Sequence, residues 1–135
     1  MVTATFEKRV RYSETDKMGY LYYGRYAALY EVGRAELIRD LGVSYHDFEE
    51  IHKVMMPVVN LECRYKYPAH YDDMVTIHTT IKEMPSRMIT FHHKIINKDG
   101  KVLNLGVVKL FFVDMISGQK VSCPPFLKEV ILPFF

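Results

Sequence analysis

Apolar residues along this chain follow two different spacings, which divide it into one helical segment and several strands. Between residues 24 and 41, Tyr26, Tyr30 and Leu37 fall on one helical face, and further apolar residues widen that face. Gly42 follows at the position where many helices end. We therefore predict one long helix from about Gly24 to Leu41. The breadth of its apolar face predicts that other structure encloses it.

Alternation of apolar and polar residues predicts strands in most of the remaining chain. The last long strand is apolar on both faces after Val107, which predicts a central strand covered on both sides. A tight turn at Asn97–Gly100 should join it to the strand before it. Ser44 is suited to cap a short second helix over Tyr45–Ile51. The predicted strands cover residues 6–12, 59–67, 75–82, 89–95 and 101–114, with a short one near 119–122.

The lengths of these elements narrow the architecture. The later strands would extend roughly 30–45 Å at about 3.3 Å per residue, whereas the helix is a rod of about 25 Å. A long antiparallel sheet that twists and curls around the helix resolves this mismatch. The order of strand, helix and further strands predicts one α+β domain over residues 1–135. Because one helix cannot cover the whole sheet, we expect the chain to self-associate.

The composition is ordinary for a soluble domain, with 49% hydrophobic residues, 25% charged residues and a formal net charge of +2. A balance so close to neutral argues against a dedicated nucleic-acid-binding protein. The apolar runs, such as Leu110–Val113, are far shorter than the roughly 20 residues of a membrane span. No apolar run precedes the first charges, so we expect no secretory signal and a cytoplasmic protein. Cys63 and Cys123 have no metal-ligand or redox spacing and are expected to be reduced thiols.

The candidate chemistry lies in the loop that leads into the long helix. Asp16 stands seven residues before Tyr23, and the helix is expected to begin at about Tyr23–Gly24. The first N–H groups of a helix have no intrahelical partner, and the helix dipole makes that end positive. A carboxylate beside them could attack a carbonyl or activate water while the N–H groups hold the oxyanion. This combination suits thioester hydrolysis, because a thiolate leaves without a strong general acid.

Each of the charged candidates also has a simpler interpretation. By spacing alone, Asp16 is more typical of a loop acid that caps a turn with its side chain. Glu14 is interpreted as solvated or as a minor electrostatic neighbour of Asp16. Glu31 and Arg34 have the spacing of an ion pair on one flank of the helix, which we expect at a subunit interface. The six histidines show no ligand spacing, so no metal site is predicted.

At this point the chain resembles a known family. The segment Thr15–Tyr26, followed by Glu31 and Arg34, resembles the 4-hydroxybenzoyl-CoA thioesterase family of acyl-CoA thioesterases. The run Tyr67–Asp73 also suits that family's connector between its second and third strands. The order of elements resembles the hotdog fold, in which a long curved antiparallel sheet wraps around one central helix.

The resemblance implies an acyl-CoA substrate, no metal and no cofactor. It also implies an active site at the interface of a homodimer, with dimers often paired into a homotetramer. The family's catalytic acid falls on Asp16, and its oxyanion donor falls on the backbone N–H of Tyr23, at the helix start beside Gly24. Many bacterial members of one subgroup carry His after the tyrosine that aligns with Tyr22, whereas this chain carries Tyr23. Whether Asp16 acts as a general base or as a nucleophile stays open.

Four further residues are candidates for contact with a substrate. Gly19 offers backbone freedom in the loop, and Tyr22 and Tyr26 could line an acyl pocket. Packing is the alternative for both tyrosines, and it is favoured for Tyr26 at the centre of the apolar face. Arg87, near a predicted hairpin end, is the best single candidate for a CoA phosphate because its forked donors suit phosphate. A solvated surface charge is the alternative there.

The predicted activity is hydrolysis of the thioester of a small or medium acyl-CoA. A non-catalytic module that binds acyl-CoA or an acyl carrier protein is the alternative, and it would bind ligand in the same cleft without turnover. A hotdog hydratase is weaker, because those enzymes typically use a His-containing dyad that this chain does not show. The sequence leaves open how long the acyl chain is and whether it is aromatic or aliphatic. It also leaves open whether the acyl carrier is CoA or a carrier protein.

Overall fold

A computed structural model describes all residues from 1 to 135. The strands are β1 (Val2–Arg9), β2 (Val54–Met55), β3 (Val58–Tyr65), β4 (Met74–Ile81), β5 (Met88–Asn97), β6 (Val102–Asp114) and β7 (Lys120–Val121). The helices are α1 (Tyr26–Asp40), α2 (Tyr45–Glu50) and α3 (Pro125–Ile131), with single 3₁₀ turns at Tyr12–Glu14, Tyr23–Arg25 and Leu132–Phe134. The predicted long helix, short second helix and main strands are therefore all present. No helix has both the length and the apolar character to cross a membrane.

All strand pairs of the sheet are antiparallel, in the order β1, β4, β5, β6. The strand β3 pairs with β6 on the side away from β5, and the short strands β2 and β7 pair with the far end of β6. The turn at Asn97–Gly100 joins β5 to β6 as predicted, and Gly100 has a φ of 84° there. β6 is thus the central strand, whereas β3 is bonded on one side only.

The helix α1 lies on one face of this sheet and forms the core with it. Apolar residues of alternate sheet positions, among them Ile77, Ile95 and Val108, are fully buried beneath it. The ring of Tyr30 packs against the backbone of Gly106, where any Cβ would collide with the phenol. The same ring stacks on His93, with centroids 4.6 Å apart and planes 9° from parallel. The sheet therefore needs a residue without a side chain at position 106 for α1 to approach so closely.

Two predictions about burial, one for α1 and one for β6, are wrong for the single chain. The helix is not enclosed, because Ala27, Ala28 and Glu31 form an exposed side of α1. β6 is central but is covered on one face only; Lys109 and Phe111 on the other face are half-buried. The alternating residues of β3 are almost all exposed because no element of the chain packs over this edge strand.

Smaller differences follow from local chemistry. The first strand ends at Arg9 rather than at Tyr12, because the backbone of Val10 bonds to Asp73 and Asp72 and the chain then turns. Tyr12 is consequently 79% exposed. The helix α3 was not predicted. Its first residue is Pro125, which follows Pro124, and proline favours the first position of a helix.

The predicted Glu31–Arg34 ion pair does not form. Glu31 is exposed, whereas Arg34 is only 6% exposed and has no carboxylate within 4.0 Å. Its guanidinium instead lies near Tyr45 and His93, and it lowers the pKa of each. For both groups burial is the larger influence: it raises the pKa of Tyr45, which stays above its ordinary value, and it lowers that of His93 to about 3.

Candidate active site

The loop before α1 is a tight turn built around the side chain of Asp16. Its Oδ1 atom accepts hydrogen bonds from the backbone N–H groups of Met18, at 2.9 Å, and Tyr20, at 3.1 Å. Gly19 completes the turn with a φ of 79°, a conformation that residues with a Cβ rarely adopt. The Oδ2 atom of Asp16 has no hydrogen-bond partner in the protein. One carboxylate oxygen thus serves the turn and the other is left free.

Backbone hydrogen bonds fasten this turn to the connector that follows β3. The N–H of Leu21 donates to the carbonyl of Ala69 at 2.8 Å, and the N–H of Tyr71 donates to the carbonyl of Gly19 at 3.0 Å. Tyr22 N–H donates in turn to the carbonyl of Glu14, at 2.8 Å. The position of the loop therefore depends on main-chain bonds at both of its ends.

Glu14 is an anchor of the loop, so the interpretation of Glu14 as solvated is wrong. Its Oε1 atom lies 2.8 Å from Lys8 Nζ and accepts a hydrogen bond from the N–H of Arg11 at 2.8 Å. Burial acts to raise the pKa of Glu14, but these bonds outweigh it and the pKa lies below its ordinary value. Lys8 lies at a half-buried position of β1, on the same side of the strand as Phe6, and its ion pair with Glu14 explains how a charge is accommodated there.

Asp16 is the sole acidic residue in the lining of a cleft of about 200 Å³ beside the start of α1. The rest of the lining is mainly apolar or aromatic, and Met18 lies at the rim with 68% of its surface exposed. The other residues that line it are Tyr20, Leu21, Tyr23, Tyr26, Tyr65, Tyr67 and Pro68. Such a lining would hold an apolar acyl group while exposing it to a single carboxylate.

The 3₁₀ turn that leads into α1 supplies free hydrogen-bond donors. The N–H groups of Tyr23 and Gly24 bond to no acceptor in the protein, whereas the N–H of Arg25 donates to the carbonyl of Tyr22 at 2.9 Å. Free N–H groups at this position are expected of a helix start. The ring of Tyr22 lies over Gly24, and a Cβ there would be 2.7 Å from its Cε2 atom. Position 24 therefore favours a residue without a side chain.

A tyrosine from the edge strand also reaches this turn. The hydroxyl of Tyr65 donates a hydrogen bond to the carbonyl oxygen of Tyr23 at 3.1 Å. Its ring meets those of Tyr26 and Tyr23 edge to face, with centroids 5.1 and 6.3 Å apart. Burial, followed by the neighbouring Cys63 and the other tyrosines, raises the pKa of Tyr65 to about 12. Tyr65 was assigned only to a strand by its alternation, and the pattern held no signal of this contact.

Comparison with known proteins decides the family. A family model described as the thioesterase-like superfamily matches residues 10–131. The chain belongs to the thioesterase-like superfamily. It is 40% identical over 96 residues to the putative acyl-CoA thioesterase YneP of Bacillus subtilis, which covers 71% of this chain and 69% of that protein. It is 30% identical over 130 residues to the acyl-CoA thioester hydrolase YbgC of Escherichia coli. That match covers 93% of this chain and 91% of YbgC.

A solved structure agrees with this assignment to the thioesterase-like superfamily. The DHNA-CoA thioesterase of Staphylococcus aureus superposes with a TM-score of 0.91 and 28% identity, over 99% of this chain and 91% of that one. These findings confirm the predicted family, the α+β hotdog fold and the enzyme class, a thioester hydrolase.

The structure brings together most of the residues that the sequence analysis selected. Asp16, Tyr23 and Tyr26 line one cleft, and Gly24 stands beside it in the 3₁₀ turn. Gly19 shapes the Asp16 turn by its backbone. Tyr26 is also a core residue, only 3% exposed, as the packing interpretation expected, and its contact with an acyl group stays a prediction. The catalytic and binding roles of these residues remain predictions.

Four of the selected residues lie outside this lining: Gly19 and Gly24, described above, and Tyr22 and Arg87. Tyr22 is 44% exposed and covers Gly24 rather than the cleft. Arg87 lines a separate cleft of about 280 Å³ together with Phe111, Lys120 and two further residues of the β7 segment. Arg87 has no carboxylate within 4.0 Å, so its guanidinium is available to an anion.

A larger cleft, of about 310 Å³, lies on the face of the sheet away from α1, yet it is a poorer candidate for a member of the thioesterase-like superfamily. Its charged and titratable lining consists of Lys82, Lys94 and three histidines, without a carboxylate. Burial and then Lys94 lower the pKa of His78 in this cleft. No group of three or more His, Cys, Asp or Glu side chains is arranged to hold a metal ion anywhere in the chain. The Asp16 cleft is therefore the candidate active site.

Proposed function

We propose that this protein hydrolyses the thioester bond of a small or medium acyl-CoA in the Asp16 cleft. The observation that carries the proposal is one carboxylate with a free oxygen, in an aromatic and apolar cleft, beside the unbonded N–H groups of Tyr23 and Gly24. The names of the putative acyl-CoA thioesterase YneP and the acyl-CoA thioester hydrolase YbgC support the substrate class. The volume of the cleft, about 200 Å³, favours an acyl group of modest size.

The chemistry follows from these groups. The thioester carbonyl oxygen accepts hydrogen bonds from the free N–H groups, which stabilise the negative charge that forms on it. In the general-base route, Asp16 takes a proton from water as the water oxygen bonds to the carbonyl carbon. The tetrahedral intermediate then collapses, the C–S bond breaks and the CoA thiolate leaves, taking up a proton. The products are the free acid and CoA.

A nucleophilic route uses the same groups. The carboxylate of Asp16 bonds to the carbonyl carbon, the C–S bond breaks, and a mixed anhydride remains on the enzyme as the thiolate leaves. Water then attacks the anhydride and restores the carboxylate, releasing the free acid. Both routes need the free Oδ2 atom of Asp16, and neither requires a metal or a cofactor. The choice between them stays open.

We infer further that the active unit is a homodimer or a homotetramer. The outer edge of β3 is unpaired in the single chain, and it carries exposed apolar side chains, including Val59 and Leu61, which are 44% and 42% exposed. An edge strand of this kind favours pairing with another strand. Tyr65, the last residue of this strand, and Tyr67, just beyond it, line the Asp16 cleft. A second copy on this edge would therefore stand beside the cleft and enclose it further.

Arg87 and Lys120 are proposed to bind the phosphates of CoA. The two cations share one cleft, and Lys120 Nζ lies 4.1 Å from the centre of the Phe111 ring. A forked guanidinium beside a second cation suits a phosphate group. The half-buried ring of Phe111 beside Lys120 adds an apolar surface on which the rest of the nucleotide could lie.

Thiol release from a panel of acyl-CoA substrates tests the proposed function. The panel should vary the chain length and include one aromatic acyl group, with an oxygen ester of the same acyl group as a reference. Turnover of at least one thioester is expected, with short or medium chains preferred. Tight binding of acyl-CoA with no thiol release would overturn hydrolysis and favour the non-catalytic binding module.

A further inference from the structure

The helix start that offers the free N–H groups is held by a side chain from another element. Tyr65 stands at the end of β3, 42 residues away from Tyr23 in sequence, and donates a hydrogen bond to its carbonyl oxygen at 3.1 Å. It is the one side chain that bonds to the backbone of Tyr23 or Gly24. The contact therefore joins the edge strand to the first turn of the helical segment.

The bonded carbonyl belongs to the peptide group that also contains the N–H of Gly24. A peptide group is planar, and this one is trans, so its C=O and N–H point in opposite directions. Fixing the oxygen of Tyr23 thus fixes the direction of the Gly24 N–H. It also restricts rotation about the bond between the Cα and the carbonyl carbon of Tyr23, which links this peptide to the one that carries the Tyr23 N–H.

The hydrogen bond from Tyr65 acts on a stretch of backbone, at Tyr23 and Gly24, that has few other restraints. Gly24 has no side chain, and a glycine backbone samples more conformations than any other. The N–H groups of Tyr23 and Gly24 have no acceptor to hold them. Without the Tyr65 hydroxyl, the Tyr23 carbonyl would lose its one side-chain partner and keep only the bonds of the helical turn. The donors would then be held less firmly, and catalysis would lose part of the benefit of fixed dipoles.

We propose that Tyr65 is a positioning residue, whose hydroxyl orients the Tyr23–Gly24 peptide and with it the donors of the oxyanion site. This role rests on the proposed thioesterase function. Its phenol remains protonated at any pH used in an assay, because burial and its neighbours raise the pKa of Tyr65 to about 12. Its ring is already held against Tyr26 by an edge-to-face contact, so the hydroxyl does not have to seek its acceptor.

The test compares Tyr65→Phe with Tyr71→Phe. The first variant keeps the ring contacts and removes only the hydroxyl; the second removes a hydroxyl that bonds to no partner, from a side chain of similar exposure, 53% against 50%. For Tyr65→Phe we expect kcat to fall about 5- to 10-fold with KM changed less than about 2-fold, as for a group that acts mainly in the transition state. Tyr71→Phe should leave both parameters unchanged.

A second measurement separates positioning from general loss of structure. Amide hydrogen exchange of Tyr23 and Gly24 should accelerate in Tyr65→Phe, while exchange in the middle of α1 and the melting temperature stay close to wild type. Unchanged kcat in Tyr65→Phe, or a loss of kcat that merely follows a fall in melting temperature, overturns the positioning role. A wild-type protein without thioesterase activity overturns the proposed function, and the positioning role with it. An active wild type with unaltered Tyr65→Phe kinetics overturns the positioning role alone.

Discussion

The Oδ1 atom of Asp16 accepts a hydrogen bond from the backbone N–H of Tyr20 at 3.1 Å, while Oδ2 has no partner in the protein. The two interpretations of this residue, a turn cap and a catalytic acid, are therefore compatible, since each can use a different oxygen. An asparagine keeps an acceptor for the turn and loses the charge. An alanine loses both. The two substitutions consequently separate chemistry from structure.

We expect Asp16→Asn to lower kcat by about 100-fold or more, because the variant can neither accept a proton from water nor form an anhydride. Its melting temperature should stay near that of the wild type. Asp16→Ala should lose activity and also about 1 to 2 kcal/mol of stability, because two hydrogen bonds of the turn are lost. Steady-state thiol release and thermal unfolding measure these effects.

Asp114→Asn is the matched control for Asp16→Asn. Asp114 also caps a turn, accepting hydrogen bonds from the N–H groups of Ile116 and Ser117 at 2.8 and 2.9 Å, but it lies outside the Asp16 cleft. This variant should keep wild-type kcat. Wild-type turnover in Asp16→Asn would rule out both proposed routes.

Arg87→Ala should raise KM for acyl-CoA about 10-fold with little change in kcat, because a charge-assisted contact to phosphate is lost away from the reacting atoms. The same acyl group on N-acetylcysteamine, which lacks the phosphates, serves as the control substrate. Its KM should be equal in wild type and variant. An equal rise of KM for both substrates would contradict a phosphate contact.

Light scattering at micromolar concentration should give the mass of a dimer or a tetramer. Leu61→Glu places a charge on the exposed apolar side of β3 and should shift the protein toward monomer, with a parallel loss of thioesterase activity. Ile116→Glu, at a residue that is 85% exposed in a turn outside β3, should change neither. A wild-type protein that is monomeric and fully active would exclude an active site completed by a second copy.

His93 makes stability depend on pH. Burial, and to a smaller extent Arg34 and His92, lowers the pKa of His93 to about 3, against about 6.5 in an unfolded chain. The unfolded chain therefore takes up a proton below pH 6.5 that the native state refuses. The contribution of neutral His93 to the free energy of unfolding is complete above pH 6.5. It falls by up to about 1.4 kcal/mol per pH unit as the pH drops toward 3.

Urea unfolding between pH 7.5 and 5 measures this dependence of the free energy of unfolding. His93→Phe keeps an aromatic ring to stack on Tyr30 and should have a shallower slope, with a remainder from His78 and His92, whose pKa values are also lowered. His46→Gln, at an exposed site, should keep the wild-type slope. Equal slopes in wild type and His93→Phe would show that His93 is not the group responsible.

Local rules were sufficient to predict the elements that bury one face. The 3.6-residue spacing of Tyr26, Tyr30 and Leu37 predicted α1, because those residues face the sheet and are 3% exposed or less. Strand alternation succeeded for β4 for the same reason, since its apolar positions are buried in turn. Ser44 caps α2 as predicted, with its Oγ atom accepting from the N–H of Asp47 at 3.1 Å.

The failures arose where a long-range contact decided the outcome. Tyr12 continued the alternation of the first strand, but the turn there is set by bonds to residues near position 72 that a local pattern cannot contain. The anchoring of Glu14 depends on Lys8, and the contact of Tyr65 with Tyr23 depends on a strand far along the chain. The position of Asp16 before a helix start was readable from the sequence. Which of its two oxygens remains free was not.

The way the loop is fastened also bears on how acyl preference can evolve. The bonds that hold the loop at Gly19 and Leu21 run between main-chain atoms, and the Asp16 turn uses the N–H of Met18 rather than its side chain. Nearly any residue can therefore replace the methionine without altering the scaffold around it. Since that side chain stands at the rim of the cleft, we expect a substitution there to change the proposed acyl preference while the proposed catalytic groups stay in place.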